Sequence, residues 1–513
     1  MTTADLLASL GGLVTATAGD PGAMGRTVRA LAYDSRKVSA GAAFIAVRGQ
    51  KTDGAAFAVQ AIAKGALAVV AEIPPPPDVQ APWITVSDAR AAMARAAAAF
   101  YGWPSREMQV VGITGTNGKT TTAYVLSALF EAAGTRCGML GTVVYRTGTE
   151  EREATRTTPE AIDVQQMLRE MAAGGCGACV MEVSSHALAL HRVDETRFAA
   201  GVFTNLTRDH LDFHRDMESY FAAKRRLFEM LPPGAPSAVN LDDPRGPSLA
   251  AMASRPVTYA VDRPADVSPA GLTQSLRGVA FQALTPAGPL QIRSRLVGRP
   301  NVYNLLAAIA AAVPLGIPGP RIEEAIERLE GVPGRFQVVS GPGDDITVVV
   351  DYAHTDDALK NLLETARPLA SQRLVTVFGC GGERDRTKRP LMGAVAARLS
   401  DFVIVTSDNP RGEDPQQIID EIKRGIAVPL DRSRPADPRA AQKYAPPRTT
   451  PYLAIADRRL AIERAIDTAK PDDVVLIAGK GHEKYQVIGD RDIPFDDVAV
   501  AREALGRRRG KRA

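Results

Sequence analysis

The chain has 513 residues, of which 45% are apolar, and its 62 basic and 58 acidic side chains leave a formal net charge of +4. This length predicts about three domains. The composition is ordinary for a soluble globular protein, and the charge balance implies no basic face for nucleic acid. Four cysteines predict a reducing compartment without a disulfide framework. The N-terminus lacks the basic region of a signal peptide, and the longest apolar run, residues 305–313, is too short to cross a bilayer. We therefore expect a cytoplasmic protein without membrane insertion.

Three segments with different patterns follow one another along the chain. Residues 1–105 alternate short strands and helices, which predicts a small α/β domain. Residues 106–336 alternate apolar strands with helices after a glycine-rich turn, which predicts a parallel sheet of P-loop type covered on both faces. Residues 337–513 predict a second, Rossmann-like doubly wound sheet. Within them, residues 427–451 are rich in Pro, Arg and Ala and predict a surface excursion. The predicted fold class is therefore α/β with three domains.

The stretch "GITGTNGKTTT" at 112–122 is the most specific chemical signal. It lies between a β-branched apolar stretch and a stretch of helical periodicity, which predicts a strand, a glycine-rich turn and a helix. Such a turn binds phosphate through backbone N–H groups, Lys119 adds a positive charge, and Thr120 or Thr121 offers a hydroxyl to Mg²⁺. Ile113 stands where the strict P-loop pattern has glycine, and an ordinary strand-to-helix turn is the alternative. We predict a nucleoside triphosphate site.

Three further residues of the central segment carry candidate metal chemistry. Glu182 ends the apolar stretch "ACVMEV", where its carboxylate could bind Mg²⁺ or cap a helix. His210 lies in "FTNLTRDHLDFH" at 203–214, where the density of polar groups favours a metal or substrate site over a self-satisfied loop. Lys224 lies among aromatic and apolar neighbours and could bind a cation only as a carbamate formed with CO₂. A lysine that snorkels to solvent is the alternative.

Three loops of the last segment follow strands and mix guanidinium with carboxylate groups. They are "GCGGERDRTKRP" at 379–390, "SDNPRGEDP" at 407–415 and "GKGHEKYQ" at 479–486. Because the carboxyl ends of parallel strands meet at one edge of a sheet, these loops predict one ligand site. Arginine pairs with a carboxylate and glutamate accepts an ammonium group, so the mixture favours an amino acid as the ligand. Solvated loops with surface ion pairs are the alternative.

These motifs occur together and in this order in the Mur ligases, which the chain resembles over nearly its whole length. The resemblance extends to "DSRKVSAGAAFIAVRGQKTDG" at 34–54, "NVYN" at 301–304, "GRF" at 334–336 and "DYAHT" at 351–355. It implies an ATP-dependent ligase of peptidoglycan precursor synthesis. ATP would phosphorylate the D-Glu side-chain carboxylate of UDP-N-acetylmuramoyl-L-Ala-D-Glu, and the amine of meso-2,6-diaminopimelate would attack the acyl phosphate. It also implies Mg²⁺ as a cofactor, small-molecule substrates only, and a monomer.

The resemblance assigns roles to individual residues of this chain. The catalytic group would be Lys119, Glu182, His210 and Lys224, and the metal ligands would be Thr120, Glu182, His210 and carbamylated Lys224 (N6-carboxylysine). The ATP site would contain Gly115, Thr116, Asn117, Gly118, Lys119, Thr120, Thr121, Asn301 and Arg335. The UDP-linked substrate would contact Ser35, Thr157, Thr158, Ser184 and Arg192. Diaminopimelate would contact Arg384, Asp408, Asn409, Pro410, Arg411, Gly479 and Glu483. The segments 1–105, 106–336 and 337–513 would bind the UDP-linked substrate, ATP and the amino acid, respectively.

Competing functions are separated by a few residues. A lysine-adding ligase is the nearest alternative, but Arg411 can pair with the distal carboxylate that diaminopimelate has and lysine lacks. The N-terminal domain argues against a folylpolyglutamate-type ligase. A P-loop kinase or switch GTPase would belong to another class, and the sequence has no guanine-reading Asn-Lys-x-Asp motif. Leu190, where some relatives have Gln, and Asp356, where Pro is frequent, depart from the family pattern.

Overall fold

The computed structural model describes residues 1–49, 52–427 and 450–510. The chain forms two compact units. The first comprises Met1–Ala270, Gln282–Gln291 and Tyr303–Ile326, and the second comprises Gly271–Phe281, Ile292–Val302 and the chain from Glu327 onward. The predicted excursion at 427–451 lies almost entirely outside the described residues. Within the described residues, none of the helices combines the length and the apolar character that a membrane span requires.

A five-stranded sheet forms the N-terminal part of the first unit. Its strands, in spatial order, are Val14–Ala18, Trp83–Val86, Ala68–Ala71, Ala42–Ile45 and Ala30–Ala32. The pairing of the first two is antiparallel and the other pairings are parallel. The accompanying helices are Thr3–Leu10, Ala58–Ala63 and Ala89–Phe100. The last of these begins at Asp88, whose carboxylate accepts hydrogen bonds from two backbone N–H groups of the first turn.

An eight-stranded sheet forms the rest of the first unit. Its strands, in spatial order, are Pro256–Tyr259, Ser237–Asn240, Phe198–Phe203, Gln109–Thr114, Ala178–Glu182, Cys137–Leu140, Val144–Thr147 and Glu150–Glu153. The first six are parallel and the last two add an antiparallel edge. The helices are Lys119–Ala132, Ala161–Ala173, Ser185–Ala189, Met217–Glu229 and Gly246–Met252. The carboxyl ends of the parallel strands, which carry Glu182 and the phosphate turn, therefore share one edge.

A three-stranded sheet and two helices follow in the chain. The strands are Ser268–Ser275, Gly278–Leu284 and Leu290–Ser294, in that spatial order, and the helices are Arg299–Ala312 and Gly319–Arg328.

A six-stranded sheet is the centre of the second unit. Its strands, in spatial order, are Gln337–Val338, Thr347–Asp351, Val474–Ala478, Leu374–Phe378, Phe402–Val405 and Tyr452–Ala454. All but the first strand run parallel. The helices are Asp356–Ala366, Lys388–Leu399, Pro415–Ala427, Arg458–Thr468 and Asp497–Gly510, and the hairpin Tyr485–Ile488 with Arg491–Pro494 stands apart. Alternate residues of the central strands enter two separate apolar cores, as in a sheet covered on both faces.

The predicted α/β fold class is confirmed. The strands predicted at the phosphate turn and before each polar loop form where the sequence indicates, because each is a short, β-branched run that both faces of a sheet can bury. Cys176 and Cys179 form a lone Cys-x-x-Cys pattern that the sequence indicates as small residues leading into a buried strand, and both are buried as free thiols.

Candidate active site

The phosphate turn connects the strand Gln109–Thr114 to the helix that begins at Lys119. Gly115 has φ of 147° and Gly118 has φ of 89°, values that favour glycine. A Cβ atom on Gly115 would lie 1.8 Å from Thr204 Oγ1, and one on Gly118 would lie 2.3 Å from Asn304 Oδ1. Both glycines are therefore required by backbone geometry and by close packing, and the turn leaves its N–H groups at a helix N-terminus.

The loop after the strand Phe198–Phe203 supports this turn. The backbone N–H of Thr116 donates to the Asn205 carbonyl at 2.9 Å, and the Asn117 N–H donates to Asn205 Oδ1 at 2.9 Å. The hydroxyl of Thr204 donates to the Asn117 carbonyl at 2.6 Å. The sequence shows Asn205 only as one of many polar residues in 203–214. Its role in supporting the turn could not be predicted, because the pairing spans 88 residues and leaves no local signal.

Two lysines share one backbone carbonyl in the turn. Lys119 Nζ lies 2.9 Å from the oxygen of Gly115 and 2.8 Å from that of Thr116. Lys224 Nζ lies 2.8 Å from the same Gly115 oxygen and 4.4 Å from the centroid of the Tyr220 ring. With 2% of its surface exposed, Lys224 does not snorkel to solvent, so that alternative is wrong.

Burial and the positive charge of Lys119 hold the pKa of the Lys224 amine well below its usual range, and Asp209 opposes them weakly. The neutral amine, rather than the ammonium ion, is the form that reacts with CO₂. The packing therefore shifts Lys224 toward the neutral form that a carbamate requires.

Glu182 is held between the phosphate helix and a neighbouring strand end. Its Oε2 accepts hydrogen bonds from the hydroxyls of Thr120 and Thr142, both at 3.0 Å, and its Oε1 accepts one from the Thr142 N–H at 2.8 Å. It is buried and ends its strand as predicted, but Ser184 caps the following helix. Thr142 was missed because sheet order, which the sequence does not show, brings it to Glu182.

Three histidines lie together beside Tyr220. The ring centroids of His186 and His210 are 4.9 Å apart, and those of His186 and His214 are 5.6 Å apart. Burial and the neighbouring imidazoles lower the pKa of His186 to about 4, and burial also lowers the pKa of His210. His210 is thus neutral at neutral pH, the form in which imidazole binds a metal.

Four residues predicted to contact the UDP-linked substrate lie close together. The Thr158 hydroxyl donates to the Glu182 carbonyl at 2.8 Å and accepts from the Ser184 N–H at 3.1 Å. Arg192 donates to the Thr158 carbonyl at 3.0 Å. Thr157 reaches the same place through the Thr142 hydroxyl, 3.1 Å from its own. Ser35 belongs to the N-terminal region, where its carbonyl accepts a hydrogen bond from Lys64 at 3.0 Å.

In the second unit, the loops after the strands Phe402–Val405 and Val474–Ala478 bring Asp408, Asn409, Lys480 and Glu483 together. Lys480 Nζ lies 3.0 Å from Asn409 Oδ1, 2.9 Å from Glu483 Oε2 and 3.8 Å from Asp408 Oδ1. Asn409 also donates to Glu483 Oε2 at 2.9 Å. Asp408, Asn409 and Glu483 were predicted to contact the amino acid, whereas Lys480 was given no role.

Arg384 belongs to the loop at 379–390, and Arg411 lies against the same loop. Arg411 has φ of 52° and donates to the Gly382 carbonyl at 2.9 Å. A Cβ atom on Gly381 would lie 3.1 Å from Arg411 Nη1 and 3.8 Å from Arg384 Cγ. On the other side, a Cβ atom on Gly479 would lie 3.0 Å from Asp408 Oδ2. Pro410, between Asn409 and Arg411, has its carbonyl against Gly382. The edge thus carries guanidinium and carboxylate groups side by side.

Asn301 and Arg335 also belong to the second unit. The amide of Asn301 donates to the Val297 carbonyl at 2.8 Å, and the Arg335 guanidinium lies 4.7 Å from the centroid of the Tyr352 ring. Their predicted role at ATP remains a prediction.

Three family models match the chain in sequence order. They are the Mur ligase family, catalytic domain at 27–101, the Mur ligase middle domain at 113–312, and the Mur ligase, glutamate ligase domain at 334–481.

Two relatives that match this chain over almost its whole length share one name. UDP-N-acetylmuramoyl-L-alanyl-D-glutamate–2,6-diaminopimelate ligase of Geobacter metallireducens is 48% identical over 483 residues, covering 93% of this chain and 94% of that protein. The ligase of the same name from Solibacter usitatus is 46% identical, covering 93% of each chain.

Solved structures share the fold. One of a ligase with that name is 35% identical with a TM-score of 0.65, covering 93% of this chain and 95% of the other. The MurF ligase of Thermotoga maritima in complex with ADP has a TM-score of 0.62 and 18% identity, covering 95% and 99%, which supports the fold alone.

Proposed function

Because the chain belongs to the Mur ligase family, we propose that it joins meso-diaminopimelate to the D-Glu side-chain carboxylate of UDP-N-acetylmuramoyl-L-Ala-D-Glu at the expense of ATP. The observation that carries this proposal is the convergence of Lys119 and Lys224 on the Gly115 carbonyl, beside the Glu182–Thr120 hydrogen bond. A phosphate turn alone fits many enzymes. Lys224, a buried lysine with a lowered pKa beside the turn, fits an enzyme whose cation site uses a lysine carbamate.

The chemistry requires charge neutralisation. A carboxylate is a poor electrophile, and its phosphorylation by the γ-phosphate of ATP supplies a leaving group. As the two anions meet, Lys119 and the N–H groups of the turn offset their repulsion. The amine of the incoming amino acid then attacks the acyl carbon, and phosphate leaves. Thr157, Thr158, Ser184 and Arg192 would hold the acceptor beside Glu182.

The donor chemistry of the site fits Mg²⁺. Glu182 and Thr120 offer oxygen atoms, and His210 offers a neutral imidazole. When bound, Mg²⁺ would neutralise phosphate charge. Across the described ranges, no three His, Cys, Asp or Glu side chains form a group able to hold a metal by themselves. Oxygen atoms of the phosphates and of a Lys224 carbamate would therefore complete the site.

The Lys224 carbamate would need only CO₂ and a proton acceptor. Nζ bonds to the carbon of CO₂, one C=O double bond opens to leave a negative oxygen, and the proton lost from nitrogen passes to water. An amine that cannot bind a cation thus becomes a carboxylate that can. Tyr220, packed against Lys224, and the Gly115 carbonyl would hold the group in place.

The second unit would supply the amino acid. Asp408 and Glu483 suit an ammonium group, while Arg384 and Arg411 suit carboxylates. We also propose domain functions for 1–105, 106–336 and 337–513 in the order UDP-linked substrate, ATP and amino acid, and a monomeric enzyme that works in the cytoplasm.

The test measures phosphate release with ATP, Mg²⁺ and the UDP-muramoyl dipeptide, comparing meso-diaminopimelate with L-lysine. We expect release with diaminopimelate and little with lysine. Equal rates would overturn the amino-acid specificity, and no release with either would overturn the ligase function. Mass spectrometry of the nucleotide product identifies the bond formed.

A further inference from the structure

Lys480 is a charged residue with no exposed surface, and it lies at the centre of the loops proposed to bind the amino acid. Its ammonium group contacts Asn409 Oδ1 and Glu483 Oε2. These contacts join the loop after the strand Phe402–Val405 to the loop after Val474–Ala478, across 71 residues of sequence. A buried charge costs several kcal/mol unless it is paired, so this arrangement must be held by its partners.

The charges around Lys480 do not balance. Two carboxylates, Asp408 and Glu483, lie within 4 Å of one ammonium group, which leaves one negative charge. The nearby guanidinium of Arg458 does not supply the difference, because it is paired with Asp497 at 2.6 Å. The excess negative charge of Asp408 and Glu483 can therefore be balanced by one further cation.

One carboxylate oxygen indicates where that cation would lie. Asp408 Oδ1 is buried and has no hydrogen-bond partner among the described residues, and its distance of 3.8 Å from Lys480 Nζ is too long for a hydrogen bond. An ammonium group of the amino acid would satisfy this oxygen and the excess negative charge together.

We infer that Lys480 is a positioning residue that sets the charge and shape of the ammonium subsite without touching the amino acid. It keeps two like-charged carboxylates close together and fixes the side chain of Asn409, which also accepts the Val487 N–H at 3.0 Å. Without it, Asp408 and Glu483 would repel each other, and one side chain would turn away. This inference rests on the proposed function, in which the second unit binds diaminopimelate.

The experiment compares Lys480→Met with Lys484→Met in the full-length enzyme. Lys484 lies in the same loop, is exposed, and pairs with half-buried Asp496, so it is the matched control. For Lys480→Met we expect the KM for diaminopimelate to rise by about tenfold or more, while the KM values for ATP and the UDP-linked substrate change by less than about twofold. The control should leave all three unchanged.

Lys480→Arg separates charge from packing. Because this variant keeps the positive charge, we expect its KM for diaminopimelate to return most of the way to the wild-type value. Unchanged KM for diaminopimelate in Lys480→Met overturns the inference. An equal rise in the KM values for all three substrates, together with a lower melting temperature of both Lys480 variants, also overturns the inference. Lys480 would then serve the fold alone. If the wild-type enzyme itself fails to use diaminopimelate, the proposed function fails instead, and the two failures are thus distinguishable.

Discussion

Two lysines, one in each unit, are almost completely buried, yet their surroundings are opposite in charge. Lys224 has 2% of its surface exposed and faces a carbonyl oxygen shared with a second lysine. Lys480 has none exposed and faces Glu483 and Asp408. Burial penalises a charged side chain at both sites. At Lys224 only Asp209 opposes this effect, and weakly, whereas two carboxylates lie within 4 Å of Lys480 Nζ.

The comparison shows that partners, rather than burial, decide what a buried lysine does. At the phosphate turn, the lowered pKa of Lys224 favours the neutral amine that would react with CO₂. At the loops proposed to bind the amino acid, Lys480 is held by ionic and hydrogen-bond contacts. We therefore propose that identical side chains act as a reactive group in one unit and as a positioning group in the other, and four substitutions test the two units.

The largest effect should come from Lys224→Ala. Because the variant cannot form the carbamate, we expect a loss of about 10³-fold in kcat, with partial recovery when a short-chain carboxylic acid such as acetate is added. Arg225→Ala, which removes an exposed neighbour on the same helix paired with Glu229, is the control. Full activity of Lys224→Ala would rule out the carbamate.

Arg411→Ala should break amino-acid selection in the second unit. The variant lacks the guanidinium proposed to pair with the distal carboxylate, so kcat/KM for diaminopimelate should fall about 100-fold while that for L-lysine stays nearly constant. Parallel steady-state assays with the two amino acids measure the ratio. An equal fall for both would show that Arg411 supports the loop rather than the selection.

Lys119→Met should change the chemistry of Lys224 without touching it. Removal of the neighbouring charge raises the pKa of Lys224, although burial, the larger cause, remains. A larger share of ammonium should lower carbamate occupancy, measured by NMR with ¹³C-labelled CO₂ in the absence of substrates. Lys64→Met is the control. Occupancy equal to that of the wild type would indicate that Lys119 does not influence Lys224.

The smallest effect concerns Arg389, a fully buried guanidinium in the second unit paired with Glu413 and Glu421 at 2.9 and 2.8 Å. The hydrogen bond from Arg389 lowers the pKa of Glu413 from 4.5 to about 2. A depressed carboxylate pKa stabilises the fold above pH 4.5, and that contribution is lost as the pH falls toward 2.

Glu413→Gln should therefore cost about 2 kcal/mol of unfolding free energy at pH 7 and less at pH 3, as measured by urea denaturation. Glu503→Gln, which removes an exposed partner of Arg459, should cost less than about 0.5 kcal/mol at either pH. A cost for Glu413→Gln that does not depend on pH would contradict the ion-pair explanation.

The residues that the sequence could assign are those whose signal is local. Gly115 to Lys119 are consecutive, and the strand before them and the helix after them follow from periodicity, so the phosphate turn was predictable within a dozen residues. Glu182 was predictable for the same reason, as a carboxylate at the end of an apolar run. Thr142, Asn205 and Lys480 were not given roles, because their partners lie 40, 88 and 71 residues away.

The sequence by itself determined the order of strands and helices, the phosphate turn and the family to which the chain belongs, since each of these is written in short-range pattern and motif. Only the tertiary structure decided the state of the two buried lysines. The pKa of Lys224 depends on its burial and on Lys119, more than 100 residues away. The pairing of Lys480 depends on two loops that meet at a sheet edge. Electrostatic interactions depend on the distance between groups in space and on the exclusion of water, and both are fixed only when the sheets have formed.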